Sequence, residues 1–323
     1  MLPEAKRKMP PLGILLVAGA VALVACALFM TLGAKGSWSF ILPFRGKKLA
    51  AMLLVAFSIA VSTVLFQTIT NNRILTPSIM GFDALYALIQ TGFILMFGAT
   101  RVSSADPRLM FLVECGAMIL FSCVLYRWLF SGAARSLHQL LLVGIIFGVL
   151  FRSLSQFMQR IIDPNDFIVL QDRLFASFNT VESDLLGIAA LMIAAATLVA
   201  WRVAHTFDVL ALGREMAIGL GVPHRRVTTI ILVVVAVLVS ASTALVGPVT
   251  FFGLLVASLA YQMMPDSRHR HVLPAAVLFA MIALVGGQIV LERIFAFDTA
   301  LGIVIEFVGG LFFILLLIRG AAR

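Results

Sequence analysis

The residues able to do chemistry in this sequence are few, and most stand at the ends of long apolar runs. Arg45-Gly46-Lys47-Lys48 is a basic cluster opening one run. Residues 67–81 crowd Gln67, Asn71, Asn72, Arg73, three threonines, Pro77 and Gly81 between two others. Residues 207–222, FDVLALGREMAIGLGV, mix Asp208, Arg214 and Glu215 with apolar residues and with glycines at 213, 219 and 221. Single charges, Asp83, Glu114, Arg152 and Glu306, fall within apolar runs. These groups offer ion pairing and hydrogen bonding rather than bond making. The sequence has no Gly-x-x-x-x-Gly-Lys-Ser/Thr, so a P-loop nucleotide site is not expected. It has no HExxH, no Ser-His-Asp pattern and no cluster with metal-ligand spacing. Cys26, Cys115 and Cys123 lie in apolar stretches without CxxC spacing and read as small buried residues. No catalytic residue, metal ligand or cofactor is therefore expected of this chain.

The elements that must hold these residues follow from composition. Of 323 residues, 62% are hydrophobic and 12% charged, and the mean hydropathy is +1.09. A soluble domain is roughly half apolar and a quarter charged. The chain reads as an all-α, polytopic membrane protein in contact with the lipid bilayer. Its net charge of +9 does not point to nucleic acid, because the basic residues are scattered through short loops.

A span needs about 20 mostly apolar residues. Ten stretches qualify: 11–31, 48–69, 79–99, 109–130, 139–158, 185–204, 227–246, 249–264, 272–292 and 299–318. The eighth is short and follows the tight Gly247-Pro248 dipeptide. Leu23-Val24-Ala25-Cys26 resembles a lipoprotein cleavage box, but its apolar run continues to Thr31 and reads as a span. With the N-terminus in the cytoplasm, fourteen of the 24 Lys and Arg fall on the inner side, including Lys6, Arg7, Lys8, Arg73, Arg135, Arg225, Arg226, Arg319 and Arg323. The acidic 159–184 loop then lies outside. This orientation obeys the positive-inside bias and puts both termini and residues 207–222 in the cytoplasm. The histidines at 138, 205, 224, 269 and 271 all fall near the inner face, as interfacial residues.

Each group has two readings on the residues alone. The 45–48 cluster snorkels to the headgroups, or docks an acidic external partner. The 67–81 stretch is a capped loop, or a binding or gating element at a broken helix. Residues 207–222 form a solvated amphipathic loop, or the contact for another subunit.

Four motifs in register favour the second readings. Arg45 and Lys48 precede a span that ends in Gln67, followed by Asn72, Pro77 and Gly81. Leu212-Gly213-Arg214-Glu215-Met216-Ala217-Ile218-Gly219-Leu220-Gly221-Val222 follows, then Gly247-Pro248-Val249-Thr250-Phe251-Phe252-Gly253-Leu254, then Gly302-Ile303-Val304. This order and spacing resembles the iron–siderophore permease family of ABC importers, which includes the cobalamin permease. The resemblance covers nearly the whole chain and is nearest the branch handling catecholate siderophores. Three departures stand out: Arg73 and Ala300 replace frequent prolines, and Ala257-Ser258-Leu259-Ala260-Tyr261 replaces a Pro-His-x-x-Arg.

The resemblance implies a type II ABC importer permease fold, one transmembrane domain over 1–323, with residues 207–226 as its cytoplasmic coupling element. It implies that Leu212, Gly213, Arg214, Glu215, Met216, Ala217, Leu220 and Gly221 meet a separate ATPase. Arg45, Lys48 and Arg293 would face a substrate-binding protein, and Gln67, Asn72, Pro77 and Arg152 would line the pathway. Partners implied are a second, non-identical permease chain, two ATP-binding subunits that hold the ATP and Mg, a periplasmic or surface binding protein, and a ferric siderophore. The membrane would be the bacterial cytoplasmic membrane. Cobalamin or haem is the rival cargo. A proton-coupled carrier using Asp83, Glu114 or Glu306 is the rival mechanism.

Overall fold

Backbone inside a bilayer has no water to bond to, so spanning segments must satisfy their own N–H and C=O groups. The computed structural model meets that demand with helices. It describes residues 10–33, 37–131, 137–179, 181–293 and 301–305, together with 307, 310, 311, 314 and 318. Lys6, Arg7, Lys8, Arg135, Ala300, Glu306, Arg319 and Arg323 lie outside the described residues.

The helices are α1 (Pro11–Thr31), α2 (Trp38–Thr70), α3 (Phe82–Phe97), α4 (Ala99–Ser104), α5 (Pro107–Ser131), α6 (Leu137–Gln159), α7 (Pro164–Leu174), α8 (Ser183–Val203), α9 (Phe207–Leu210), α10 (Arg214–Gly219), α11 (His224–Val246), α12 (Phe252–Met263) and α13 (His269–Arg293). Among the described residues seven helices are long and apolar enough to cross a membrane, and α3 and α12 are shorter apolar helices. Residues 301–305 continue the pattern as helix.

Helices α2 and α11 form the centre and lie against one another. They are the most enclosed of the spans, with 67% and 72% of their apolar windows buried. Small residues make this possible: Ala51, Ala56, Ser58, Ala60, Ser62 and Thr63 on α2 and Ala236, Ser240, Ala241 and Ser242 on α11 are all buried. Lipid is as apolar as a leucine side chain, so close backbone approach rather than water exclusion holds such helices together. Helices α1 and α13 pack on one side of α2, and α5 and α8 pack on α11. Helix α12 approaches α2 so closely that a Cβ at Gly253 would collide with Thr63 Oγ1.

Several boundaries differ from the sequence expectation, each for a local reason. Helix α2 begins at Trp38 instead of 48, because the helix continues through Arg45-Gly46-Lys47-Lys48 and its basic groups find partners off the axis. The expected span 79–99 breaks at Gly81, whose φ of 88° ends a short 3₁₀ turn, Pro77–Met80, before α3 starts. The expected span 249–264 shortens to α12, because Gly247 at φ 93° and Pro248 leave a non-helical corner. The 159–184 stretch, expected as an outer loop, contains helix α7. Asp163 caps it, its carboxylate accepting from Asn165 N at 2.9 Å, and Pro164 takes the first helical position. The segment after α7 closes the Gly247 corner, with Ser177 N donating to Val246 O at 2.8 Å.

Candidate functional site

The chemistry-bearing residues gather at the two ends of α2. At the end expected to face the cytoplasm, α8 runs through one 3₁₀ turn into α9, and Gly213 (φ 95°) and Gly221 (φ 82°) bracket α10. These left-handed positions suit glycine and turn the chain twice within a few residues. Phe207, Leu210 and Ala217 are buried and fasten the element to the helix ends. The opposite side carries Leu212, Met216, Ile218 and Leu220, exposed at 53–62%, beside exposed Arg214 and Glu215. Exposed apolar side chains mixed with charge on a short element at the helix ends are the usual chemistry of a protein contact. Of the residues expected here, Leu212, Arg214, Glu215, Met216 and Leu220 share this outer surface. Ala217 anchors its base, and Gly213 and Gly221 set its bends.

Beside it, α2 ends in Asn71, which adopts φ 49° as a left-handed cap and whose side chain lies against Gly213. The chain then turns back as a non-helical stretch rather than as a new span. Gln67, 2% exposed, donates through Nε2 to Arg73 O at 2.7 Å. Asn72 Oδ1 accepts from Ile74 N at 3.0 Å, and Pro77 is buried. The stretch ends on a backbone contact: a Cβ at Gly81 would lie 2.9 Å from Gly148 Cα on α6, and one at Gly144 3.1 Å from Met80 Cα. Under it lies a small cavity of about 20 Å³, lined by Ser62, Thr63, Thr76, Asp83 and Thr243. Non-helical backbone with hydroxyls between packed helices is tolerated only where protein or a polar cavity covers it. Gln67, Asn72 and Pro77 are thus brought together as one turn. Arg152 is not with them. It is exposed on α6, on the same face as Ile145 and Val149. Arg73 and Tyr261, two of the sequence's departures, meet: the guanidinium lies 4.4 Å from the ring centroid.

At the opposite end of α2, the expected docking residues converge on the end of α1. Arg45 Nη1 donates to Phe29 O at 2.7 Å and Leu32 O at 2.8 Å. Arg293 Nη2 donates to the same Leu32 oxygen. A helix leaves its last carbonyls open, and cations there offset the dipole. Lys48 is 8% exposed and pairs with Glu292 at 3.5 Å. The three residues are together, then, but Arg45 and Arg293 already serve α1, and Lys48 is largely buried.

Of the acidic residues considered as proton carriers, Glu114 is 4% exposed and accepts from Gln90 Nε2 at 2.6 Å. It borders a cavity of about 170 Å³ with Tyr86, Arg173 and Glu182. Glu306 lies outside the described residues. Among the described residues no group of three or more His, Cys, Asp or Glu could hold a metal ion.

The profile of the FecCD transport family matches residues 11–319. The chain belongs to that family. FecCD proteins are transport proteins, and this one is accordingly a membrane transport component. Two relatives sharpen the placement. The petrobactin import system permease protein YclO of Bacillus subtilis (strain 168) is 49% identical over 305 residues, 94% of this chain and 96% of its own length. The petrobactin import system permease protein FatC of Bacillus anthracis is 36% identical over 274 residues, 85% and 77% of the two chains. A solved metal-chelate type ABC transporter in an inward-facing conformation superposes with a TM-score of 0.82 over 96% of this chain and 99% of that one, at 21% identity. That likeness shows the fold, which is all-α and of the ABC permease type. The sequence did not mark out Glu292 as the partner of Lys48, nor Asp208, Thr68 and His269 as neighbours. No motif joins residues so far apart in the chain.

Proposed function

We propose that this FecCD chain is the permease subunit of an ABC importer that carries a ferric siderophore of the petrobactin, catecholate class across the bacterial cytoplasmic membrane. ATP hydrolysis with Mg takes place in separate subunits. The observation that carries the mechanism is the exposure of Leu212, Met216, Ile218 and Leu220, beside Arg214 and Glu215, on an element set between two fixed bends. Such a surface needs a complementary face, and two ATPase subunits supply one each for a pair of permease chains. The cargo reading is supported by the two petrobactin relatives. In this reading residues 207–226 are the coupling element of a single permease domain, with both termini in the cytoplasm. The second permease chain is a non-identical relative, and the pathway runs between the two. Arg152, on an exposed face of α6, then faces the anionic cargo or the partner permease.

On the outer side a substrate-binding protein meets the surface around Arg45, Lys48 and Arg293. Exposed Arg293 is the group best placed to steer acidic lobes, because Lys48 is held by Glu292. Uptake of radioactive iron from ferric petrobactin tests the whole reading in cells with and without this chain. Loss of iron uptake with cobalamin and haem uptake intact supports the proposal. Loss of cobalamin or haem uptake instead reassigns the cargo. Uptake abolished by a protonophore but indifferent to an ATPase-dead partner replaces the mechanism.

A further inference from the structure

Helix α13 starts at His269, and its first N–H has no partner in its own helix. The acceptor comes from the coupling element. Asp208 Oδ1 takes the His269 backbone N–H at 2.9 Å and also bonds His269 Nδ1 at 2.7 Å. A carboxylate at a helix N-terminus is electrostatically favoured, but it ordinarily comes from the preceding residue or two. Here it comes from α9, which lies 61 residues earlier. The other ring nitrogen, Nε2, lies 2.6 Å from Thr68 Oγ1 in the last turn of α2. The Asp208 carboxylate only accepts, so Nδ1 carries the proton, and Nε2 accepts from the Thr68 hydroxyl or, in the imidazolium, donates to it. His269 and Thr68 are 5% and 4% exposed. Phe207 lies against the imidazole edge-on, with ring centroids 5.7 Å apart.

One planar ring therefore joins three elements: the coupling element, the start of α13 and the end of α2. We infer that His269 is a positioning residue that carries displacement of residues 207–222 to the inner end of α2 and the 67–77 turn. The inference rests on the ATP-driven reading above. The ring has no internal torsion, so Asp208 and Thr68 are held at a fixed separation while both bonds last. Breaking either bond leaves a buried polar group without a partner, which is disfavoured, so the lower-energy course is for the two ends to move together. Thr68 is directly followed in space by the turn's own ties. Gln67 holds Arg73 O, and Arg73 stacks on Tyr261.

The test uses proteoliposomes holding this chain, its partner permease and the ATPase subunits, with binding protein loaded with ferric petrobactin. The readout is ATP hydrolysed per iron imported. Thr68→Val and His269→Ala should each raise that ratio about fivefold, the equilibrium worth of one buried hydrogen bond, while the ATPase rate stays within about twofold of wild type. Because the link is in series, the double variant should be no worse than either single variant. Thr68→Ser, which keeps the hydroxyl, should restore the wild-type ratio. If His269→Ala does not assemble, the Val and Ser variants at Thr68 decide alone. An unchanged ratio in Thr68→Val overturns the inference, as does Thr68→Ser behaving like Thr68→Val, or losses that add in the double variant. Wild-type vesicles that import no iron under ATP overturn the underlying transport reading as well, whereas active wild type with unaffected variants overturns the link alone.

Discussion

The turn between α2 and α3 depends on glycine for two separable reasons, and alanine substitution separates them. Gly81 has φ 88°, and a Cβ there would meet Gly148 Cα at 2.9 Å and Gly148 N at 3.0 Å. The neighbour is backbone, so it cannot swing aside. Left-handed backbone costs an L residue about 1–2 kcal/mol, and forcing a methyl into a filled interior about 1–3 kcal/mol more. Gly81→Ala should therefore destabilise by about 2–5 kcal/mol. Gly148→Ala meets the same contact from the other side, at 3.1 Å from Gly81 Cα, but within a regular helix. It carries only the packing cost, offset by up to about 1 kcal/mol of better helix propensity. Gly19, with nothing within 4 Å of a built Cβ, is the control. Thermal midpoints of the detergent-purified complex should fall in the order Gly81→Ala, then Gly148→Ala, with Gly19→Ala at or above wild type. Iron uptake should fall in the same order. Equal effects at 81 and 148 would refute the backbone argument, and a silent Gly81→Ala would refute the contact itself.

Other perturbations address the remaining sites. Leu220→Asp, at 62% exposure on the proposed coupling element, should cut ATPase association by more than about 30-fold, the scale of a hot-spot loss, with chain abundance unchanged; co-purification of the ATPase measures it. Lys48→Met strands Glu292, which retains Gln288 Nε2 at 3.0 Å, so destabilisation of about 1–3 kcal/mol is expected, with recovery in Lys48→Met/Glu292→Leu by thermal shift. Arg152→Leu should raise the KM for the anionic ferric catecholate several-fold and leave the maximal rate near wild type; unchanged uptake kinetics would remove Arg152 from the pathway. Gly221→Ala, with φ 82° and nothing within 4 Å, should cost only the left-handed penalty of about 1–2 kcal/mol.

What the sequence made legible was the repeated apolar length. Helices α1, α5, α6, α8 and α11 begin and end within a few residues of the expected spans, because a continuous apolar run is nearly a direct statement of a spanning helix. The short element at residues 207–222 was legible too, because its glycines and charges interrupt that pattern locally. Charge misled at Arg45–Lys48, where a polar cluster reads as a boundary although the side chains reach back to α1 and Glu292. Helix α7 did carry a signal, with Asp163, Pro164 and the spacing of Phe167, Leu170 and Leu174, but an acidic loop obscured it. The Asp208–His269–Thr68 arrangement had none, since its bonds cross 61 and 201 residues of chain and depend on helix ends meeting in space.

The most direct measurement of the central claim is iron import into proteoliposomes containing this chain, a partner permease and the ATPase, with ferric petrobactin presented by its binding protein. The account predicts import that requires ATP and binding protein, stops with an ATPase-dead subunit, and persists when a protonophore collapses the proton gradient. Import driven by that gradient without ATP would contradict it.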